Sequence, residues 1–134
     1  MAIVGDDVDL GWSHFWGASA LYLCVPYRVR IWAGSPVMYG GECVDFSRRL
    51  RNHDSRIMFP TGSSQQPFYD VIRCGATELP AVRACASAWF FLPCRRASLD
   101  RDCRKAAEEV WIEEHRLLLN SPSVYAYLQW LRSS

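Results

Sequence analysis

The sequence predicts an α+β fold, in which a small antiparallel sheet carries a cysteine-bearing helix and is followed by three C-terminal helices. Short strand-like runs separated by turns fill much of the first half of the chain, whereas helical periodicity dominates the second half. The 134 residues suit one hydrophobic core, and no linker or internal repeat divides them. We therefore expect one domain spanning residues 1–134, with the acidic residues 1–9 loosely ordered.

Three strands are predicted before the first helix. They are expected at residues 18–25, 28–31 and 37–39. In the second of these, arginines alternate with Val29 and Ile31, which indicates a half-buried strand whose arginines face water. Gly40 and Gly41 then end the third strand, and their lack of a side chain would let other backbone or a substrate approach closely.

Cys43 lies in the first turn of the first predicted helix, at residues 42–51. Cys43, Phe46 and Leu50 are spaced to form one buried stripe of that helix. The start of a helix carries partial positive charge and free N–H groups, which lower the pKa of a thiol and favour the thiolate. This position makes Cys43 a candidate nucleophile, although a cysteine there is more often a small buried apolar side chain.

The rest of the chain is predicted to contain two more strands and then only helices. The strands are expected at residues 56–59 and 68–74, with a polar loop between them. The helices are expected at residues 77–92, 98–120 and from 121 onward.

Composition narrows the function classes. The formal net charge of +1 provides no long-range attraction toward nucleic acid or anionic lipid. Six cysteines without Cys-x-x-Cys spacing, and an acidic start without a secretory pattern, predict reduced thiols in a cytoplasmic setting. The three histidines lack zinc-ligand spacing, so a zinc-stabilised regulator remains an alternative without a local motif, and no cofactor is predicted.

A thiol nucleophile also needs a base within hydrogen-bond reach and donors for an oxyanion. His14, just before the first strand and among aromatic residues, is the best candidate base for Cys43. His53 lies roughly 15 Å from Cys43 along the helix axis, and His115 lies in a charged helical segment. The alternative for His14 is a histidine in an aromatic cluster, hydrogen-bonded to a backbone carbonyl.

Two short motifs resemble those of the lecithin:retinol acyltransferase-like proteins, which include small phospholipase/acyltransferases and picornavirus 2A proteins of the H-box/NC type. Residues 42–46, ECVDF, followed by Leu50 and Arg51, resemble the NC box, Asn-Cys-Glu-His-Phe-Val-x-x-Leu-Arg. Residues 13–17, SHFWG, resemble the H-box. The order of the elements and the chain length are similar to those of kobuvirus-like 2A proteins.

The resemblance implies a viral non-structural protein of the host cytoplasm, acting in viral RNA replication and particle production through host interactions. Departures from the motif predict that catalysis is lost. Glu42 replaces the Asn and would raise the pKa of the Cys43 thiol, Asp45 replaces a His, and no second histidine orients His14. Were activity retained, Cys43 would be the nucleophile and His14 the base of an acyl hydrolase or acyltransferase acting on lipid esters.

The other alternative is a non-enzymatic cytosolic module that binds protein or RNA. Arg48, Arg49 and Arg51 form the cluster predicted to contact RNA or a partner, although such a run is more often only a solvated helix face. The expected partners are a host protein first, RNA second and a membrane surface third. The last is included because residues 84–93 are apolar but too short to span a bilayer.

Overall fold

A three-stranded antiparallel sheet forms the centre of the fold in the computed structural model, which describes residues 17–133. The central strand is β1 (Ala20–Pro26), and its side chains are almost all buried. This explains why its sequence is a continuous apolar run rather than an alternation. The α+β class predicted from the sequence is confirmed.

A separate hairpin follows β1. It consists of β2 (Ile31–Trp32) paired antiparallel with β3 (Ser35–Pro36). The strand predicted at residues 28–31 is therefore wrong in its extent and in its orientation, because the side chains of Val29 and Ile31 are 60% and 67% exposed. The hairpin does not join the central sheet, so alternate side chains of this segment have no core in which to be buried.

Two strands flank β1, and α-helices follow them. The flanking strands are β4 (Tyr39–Cys43) and β5 (Trp89–Arg96). Within residues 17–133 the α-helices are α1 (Phe46–Met58), α2 (Gln66–Arg73), α3 (Leu79–Ala86), α4 (Arg101–His115) and α5 (Ser123–Arg132), and a 3-10 turn covers Leu118–Asn120. No helix in this described part is both long and apolar enough to cross a bilayer.

The first helix begins later than the sequence predicted. The carboxylate of Asp45 accepts a hydrogen bond from the backbone N–H of Arg48, which makes Asp45 the N-cap of α1. Cys43 is consequently the last residue of β4 and does not lie in the first turn of a helix. The predicted cysteine-bearing helix is therefore wrong in one point: Cys43 belongs to the strand that precedes the helix.

The segments predicted as strands at 56–59 and 68–74 are wrong. Residues up to Met58 complete α1, and residues 66–73 form α2. Aromatic and β-branched residues suggested a strand in the second segment, but its buried side chains recur at helical spacing. They are Phe68, Tyr69, Val71 and Ile72.

The helix predicted at residues 77–92 is a shorter helix, α3, followed by β5. Pro93, directly after the predicted helix, lies inside β5. The pairing of β1 with β5 shifts by one residue next to Pro93, and β5 is an edge strand. Edge strands and bulges are where a sheet accepts a proline, because the missing N–H is not required there.

Candidate functional site

Cys43 holds its thiol inside the protein. Its side chain is 5% exposed, and Sγ donates a weak hydrogen bond to the carbonyl oxygen of Ala20 at 3.6 Å. Burial raises the pKa of the Cys43 thiol to about 11, and the neighbouring carboxylate of Glu42 adds to this increase. The thiol is therefore protonated at neutral pH and is not an activated nucleophile.

The predicted base, His14, lies outside the described residues. His53, which the sequence placed at the far end of the helix, is instead fully buried in the core. Hydrogen bonds join its Nε2 to the Tyr22 hydroxyl at 2.6 Å and its Nδ1 to the Tyr69 hydroxyl at 2.7 Å. Burial, with a smaller contribution from Arg49, lowers the pKa of His53 to about 3, so the imidazole is neutral and both its nitrogens are occupied.

Sequence reasoning missed the structural role of His53, although a signal for it was present. His53 follows Phe46 by seven residues, and both side chains are buried on the same face of α1.

The hydroxyl of Tyr22 also accepts a hydrogen bond from Nε of Arg49 at 3.3 Å. A chain of polar contacts thus runs from Arg49 at the surface through Tyr22 and His53 to Tyr69.

Gly40 and Gly41 allow a close approach, as predicted, but the groups that approach are side chains of the protein and not a substrate. A Cβ on Gly41 would lie well inside van der Waals contact with the ring and hydroxyl of Tyr22. A Cβ on Gly40 would instead meet the end of the Leu117 side chain. The pair therefore serves packing of the core against β4, and no substrate is needed to explain it.

We expect Gly41→Ala to lower the free energy of unfolding by about 2 kcal/mol or more, measured by urea denaturation. The reason is that the Tyr22 ring is completely buried and is held by His53, so it cannot move aside. Gly40→Ala provides the comparison, because its clash is with a terminal methyl of Leu117, which is equally buried but can change rotamer more easily than the Tyr22 ring, so the loss should be smaller. A larger loss for Gly40→Ala than for Gly41→Ala would contradict this explanation.

A positively charged cleft of about 310 Å³ opens beside Cys43, between β4, the start of α1 and α4. Its charged lining residues are Glu42, Asp45, Arg48, Arg49, Arg104 and Lys105. Four cations and two carboxylates leave an excess of two positive charges. This cleft is the candidate functional site.

Glu42 is held by two of these cations. Its carboxylate forms an ion pair with the buried guanidinium of Arg104 and another with Lys105 Nζ at 2.8 Å. Burial opposes the charge of Glu42, but the hydrogen bonds from Lys105 and Arg104 outweigh this, and the net effect lowers its pKa. Glu42 is thus a partner in an ion-pair cluster.

The structure divides the predicted arginine cluster. Arg48 and Arg49 line the cleft, whereas Arg51 is exposed on α1 outside the lining. Arg49 is only partly exposed, and its Nε contacts Tyr22 as described above. The three arginines are therefore not equivalent, and only two of them can contact a ligand inside the cleft.

The described residues offer no metal centre. Within residues 17–133, no group of three or more His, Cys, Asp or Glu side chains is arranged to hold a metal ion. All six cysteines are free thiols, and two of them, Cys24 and Cys43, are buried.

Comparisons with known proteins found no matching family model, no matching curated protein and no matching solved structure. The resemblance to the H-box/NC proteins therefore rests on the motif residues and the order of elements.

Proposed function

We propose that this chain is a non-enzymatic interaction protein, related to the picornavirus 2A proteins of the H-box/NC type. In this proposal it acts in the host cytoplasm, in viral RNA replication and particle production, through contacts with a host protein. The viral part of the proposal rests on the two motifs. The non-enzymatic part rests on one observation, the burial of the Cys43 thiol beside the carboxylate of Glu42.

The order of the elements fits the proposal. The cysteine-bearing strand β4 pairs antiparallel with β1 and leads directly into α1, and Ala20 at the start of β1 lies opposite Cys43. The resemblance implies two strands followed by a cysteine-bearing helix; the strands and the helix occur in that order, whereas Cys43 ends β4 instead of beginning α1.

The chemistry of Cys43 argues against the alternative of an acyl hydrolase or acyltransferase acting on lipid esters. A thiol with a pKa of about 11 is ionised in only about one molecule in 10,000 at pH 7. Glu42 cannot be moved away from the thiol at low cost, because Arg104 and Lys105 hold it. The neighbouring charge that disfavours the thiolate is therefore a fixed part of the site.

The reactivity of Cys43 tests the proposal. We expect peptide-resolved alkylation with iodoacetamide, followed by mass spectrometry between pH 6 and 11, to show that ionisation of Cys43 is still rising at pH 11 and reaches no plateau. In urea the same cysteine should react with a midpoint of about 8.5, the value for a free thiol. A midpoint below about 8 in the folded protein would contradict the proposal.

An acyl-ester activity probe provides the second readout. Labelling of the wild-type protein and of Cys43→Ala should be equal, because the buried, protonated thiol does not react with the probe. Labelling that disappears in Cys43→Ala would restore the enzyme alternative.

RNA is the alternative partner class, and the excess positive charge of the cleft is the observation that favours it. Binding of RNA through Arg48, Arg49 and Arg51 would weaken steeply with salt. Replacing all three arginines would abolish it.

A further inference from the structure

We infer that the cleft beside Cys43 binds a phosphorylated serine or threonine side chain of a protein partner, with Arg49 as its principal contact. The inference rests on the proposed function, because it specifies the chemistry by which a host protein would be recognised. Four features of the described residues carry it.

The first feature is the state of Arg49. Its Nε donates to the Tyr22 hydroxyl at 3.3 Å, while its two Nη groups make no hydrogen bond to any described residue. Arg49 also forms no ion pair with a carboxylate in the described part of the chain, although it is only partly exposed. A guanidinium anchored at Nε presents its remaining N–H groups in a fixed fork, which suits the oxygens of a phosphate.

The second feature is that both carboxylates of the cleft are already engaged. Glu42 is bound by Arg104 and Lys105, and Asp45 accepts hydrogen bonds from Ser47 Oγ at 2.7 Å and from the N–H of Arg48. Neither is therefore available to neutralise the guanidinium of Arg49. Glu108, outside the lining, interacts with Arg49 electrostatically but forms no ion pair with it. Asp45 also caps α1, so an incoming anion would meet arginine side chains and not the end of the helix.

The third feature is the match of charge and size. The lining has an excess of two positive charges, and a phosphorylated serine carries −1.5 to −2 at pH 7. A cleft of about 310 Å³ accommodates one side chain with its phosphate, whereas a helix would not enter it. At the edge of the cleft, Val44 is 53% exposed and offers an apolar contact to a neighbouring residue of the peptide.

The fourth feature favours a peptide over single-stranded RNA. None of the described residues that line the cleft is aromatic, so the cleft provides no ring on which a base could stack. The net charge of the chain is only +1, which gives no extended field to follow a nucleic-acid backbone. A single phosphate on a peptide needs neither property.

The experiment is a ¹H–¹⁵N chemical-shift titration of the whole chain with the peptide acetyl-Gly-Gly-phosphoserine-Gly-Gly-amide. The same peptide with serine, inorganic sulfate and a ten-nucleotide uridine RNA are titrated in parallel. We expect the phosphopeptide to shift amides within residues 42–52 and to bind at least tenfold more tightly than the serine peptide or sulfate. Arg49→Gln should weaken that binding at least tenfold.

Arg51→Gln is the matched control, because it removes the same charge from the same helix outside the cleft. It should leave the affinity within twofold. Arg49→Lys keeps the charge and loses the fork, so it should bind the phosphopeptide with intermediate affinity. Arg48→Gln, at an exposed position that also lines the cleft, should weaken binding severalfold even if both Arg49 variants fail to fold.

Several results would overturn the inference. Sulfate binding as tightly as the phosphopeptide would mean an adventitious ion only, and RNA binding more tightly than the phosphopeptide would mean a nucleic-acid site. If the folded Arg49→Gln variant, or the Arg48→Gln variant, binds the phosphopeptide as tightly as the wild type does, the cleft is not the binding site. If phosphopeptide binding is absent while Cys43 stays unreactive, this inference fails and the proposed function stands.

Discussion

Glu42→Gln is expected to lower the free energy of unfolding by about 3 kcal/mol or more, because Arg104 would remain buried without its charged partner. The side chains of Arg104 and Glu42 are only 7% and 10% exposed. Arg104 would keep its hydrogen bonds to the carbonyl oxygens of Ser98 and Leu99, which limits the loss. Glutamine has nearly the volume of glutamate, so the substitution creates no cavity that would itself lower the free energy of unfolding. Urea denaturation at pH 7 provides the measurement.

Lys105→Gln is the control for this prediction. Lys105 also pairs with Glu42, but its side chain is 47% exposed, so its loss should cost less than about 1 kcal/mol. The double variant Glu42→Gln with Arg104→Met removes both buried charges and should be more stable than Glu42→Gln alone. Equal losses for Glu42→Gln and Lys105→Gln would show that burial of Arg104 is not what makes the pair important.

Acidification is expected to destabilise the protein through His53. The pKa of His53 is about 6.5 when free and about 3 in the folded protein. Between these pH values the unfolded chain therefore binds a proton at His53 and the folded protein does not. The stability that this neutral histidine contributes is complete above pH 6.5 and decreases as the pH falls toward 3. At 1.36 kcal/mol per pKa unit the loss amounts to roughly 4 to 5 kcal/mol once the pH is below 3, of which roughly 3 kcal/mol is lost by pH 4. Urea denaturation at pH 7, 5.5 and 4 measures it.

Two variants separate the titration of His53 from its hydrogen bonds. His53→Leu should lose about 2 to 4 kcal/mol at pH 7, because the hydroxyls of Tyr22 and Tyr69 lose a buried partner, and its stability should depend less on pH between 6.5 and 4. Tyr69→Phe removes one hydrogen bond, should cost about 1 kcal/mol, and should retain the pH dependence. An undiminished pH dependence in His53→Leu would assign the effect to other groups.

The sequence predicted the class of fold and the central strand because both follow from local patterns. The continuous apolar run of β1 and the helical spacing of Phe46 and Leu50 are signals within single elements. The strand predicted at residues 68–74 is instead part of α2, because aromatic and β-branched side chains favour a strand, whereas burial against neighbouring elements favours a helix here. β5 was missed because its proline is tolerated only through its pairing with β1, which lies far away in sequence.

The candidate site was predictable only in part. The effect of Glu42 on the Cys43 thiol follows from their adjacency and has the direction expected, although burial is the larger cause. That Arg104 would hold Glu42 could not be seen, because these residues are 62 positions apart. The different roles of Arg48, Arg49 and Arg51 also depend on the tertiary surroundings of α1, which a run of charges does not encode.

The position of β1 in the sheet has a consequence for how the chain folds. β1 is the central strand, and its contacts with β5 join residues separated by 63 positions (Pro26 with Trp89) to 76 positions (Ala20 with Arg96). Closing loops of this length before a stabilising contact forms is slow compared with forming the local helices. During synthesis on the ribosome, one edge of β1 therefore cannot be fully paired until residue 96 has emerged. Until then this strand edge is exposed, and a chaperone could bind to it.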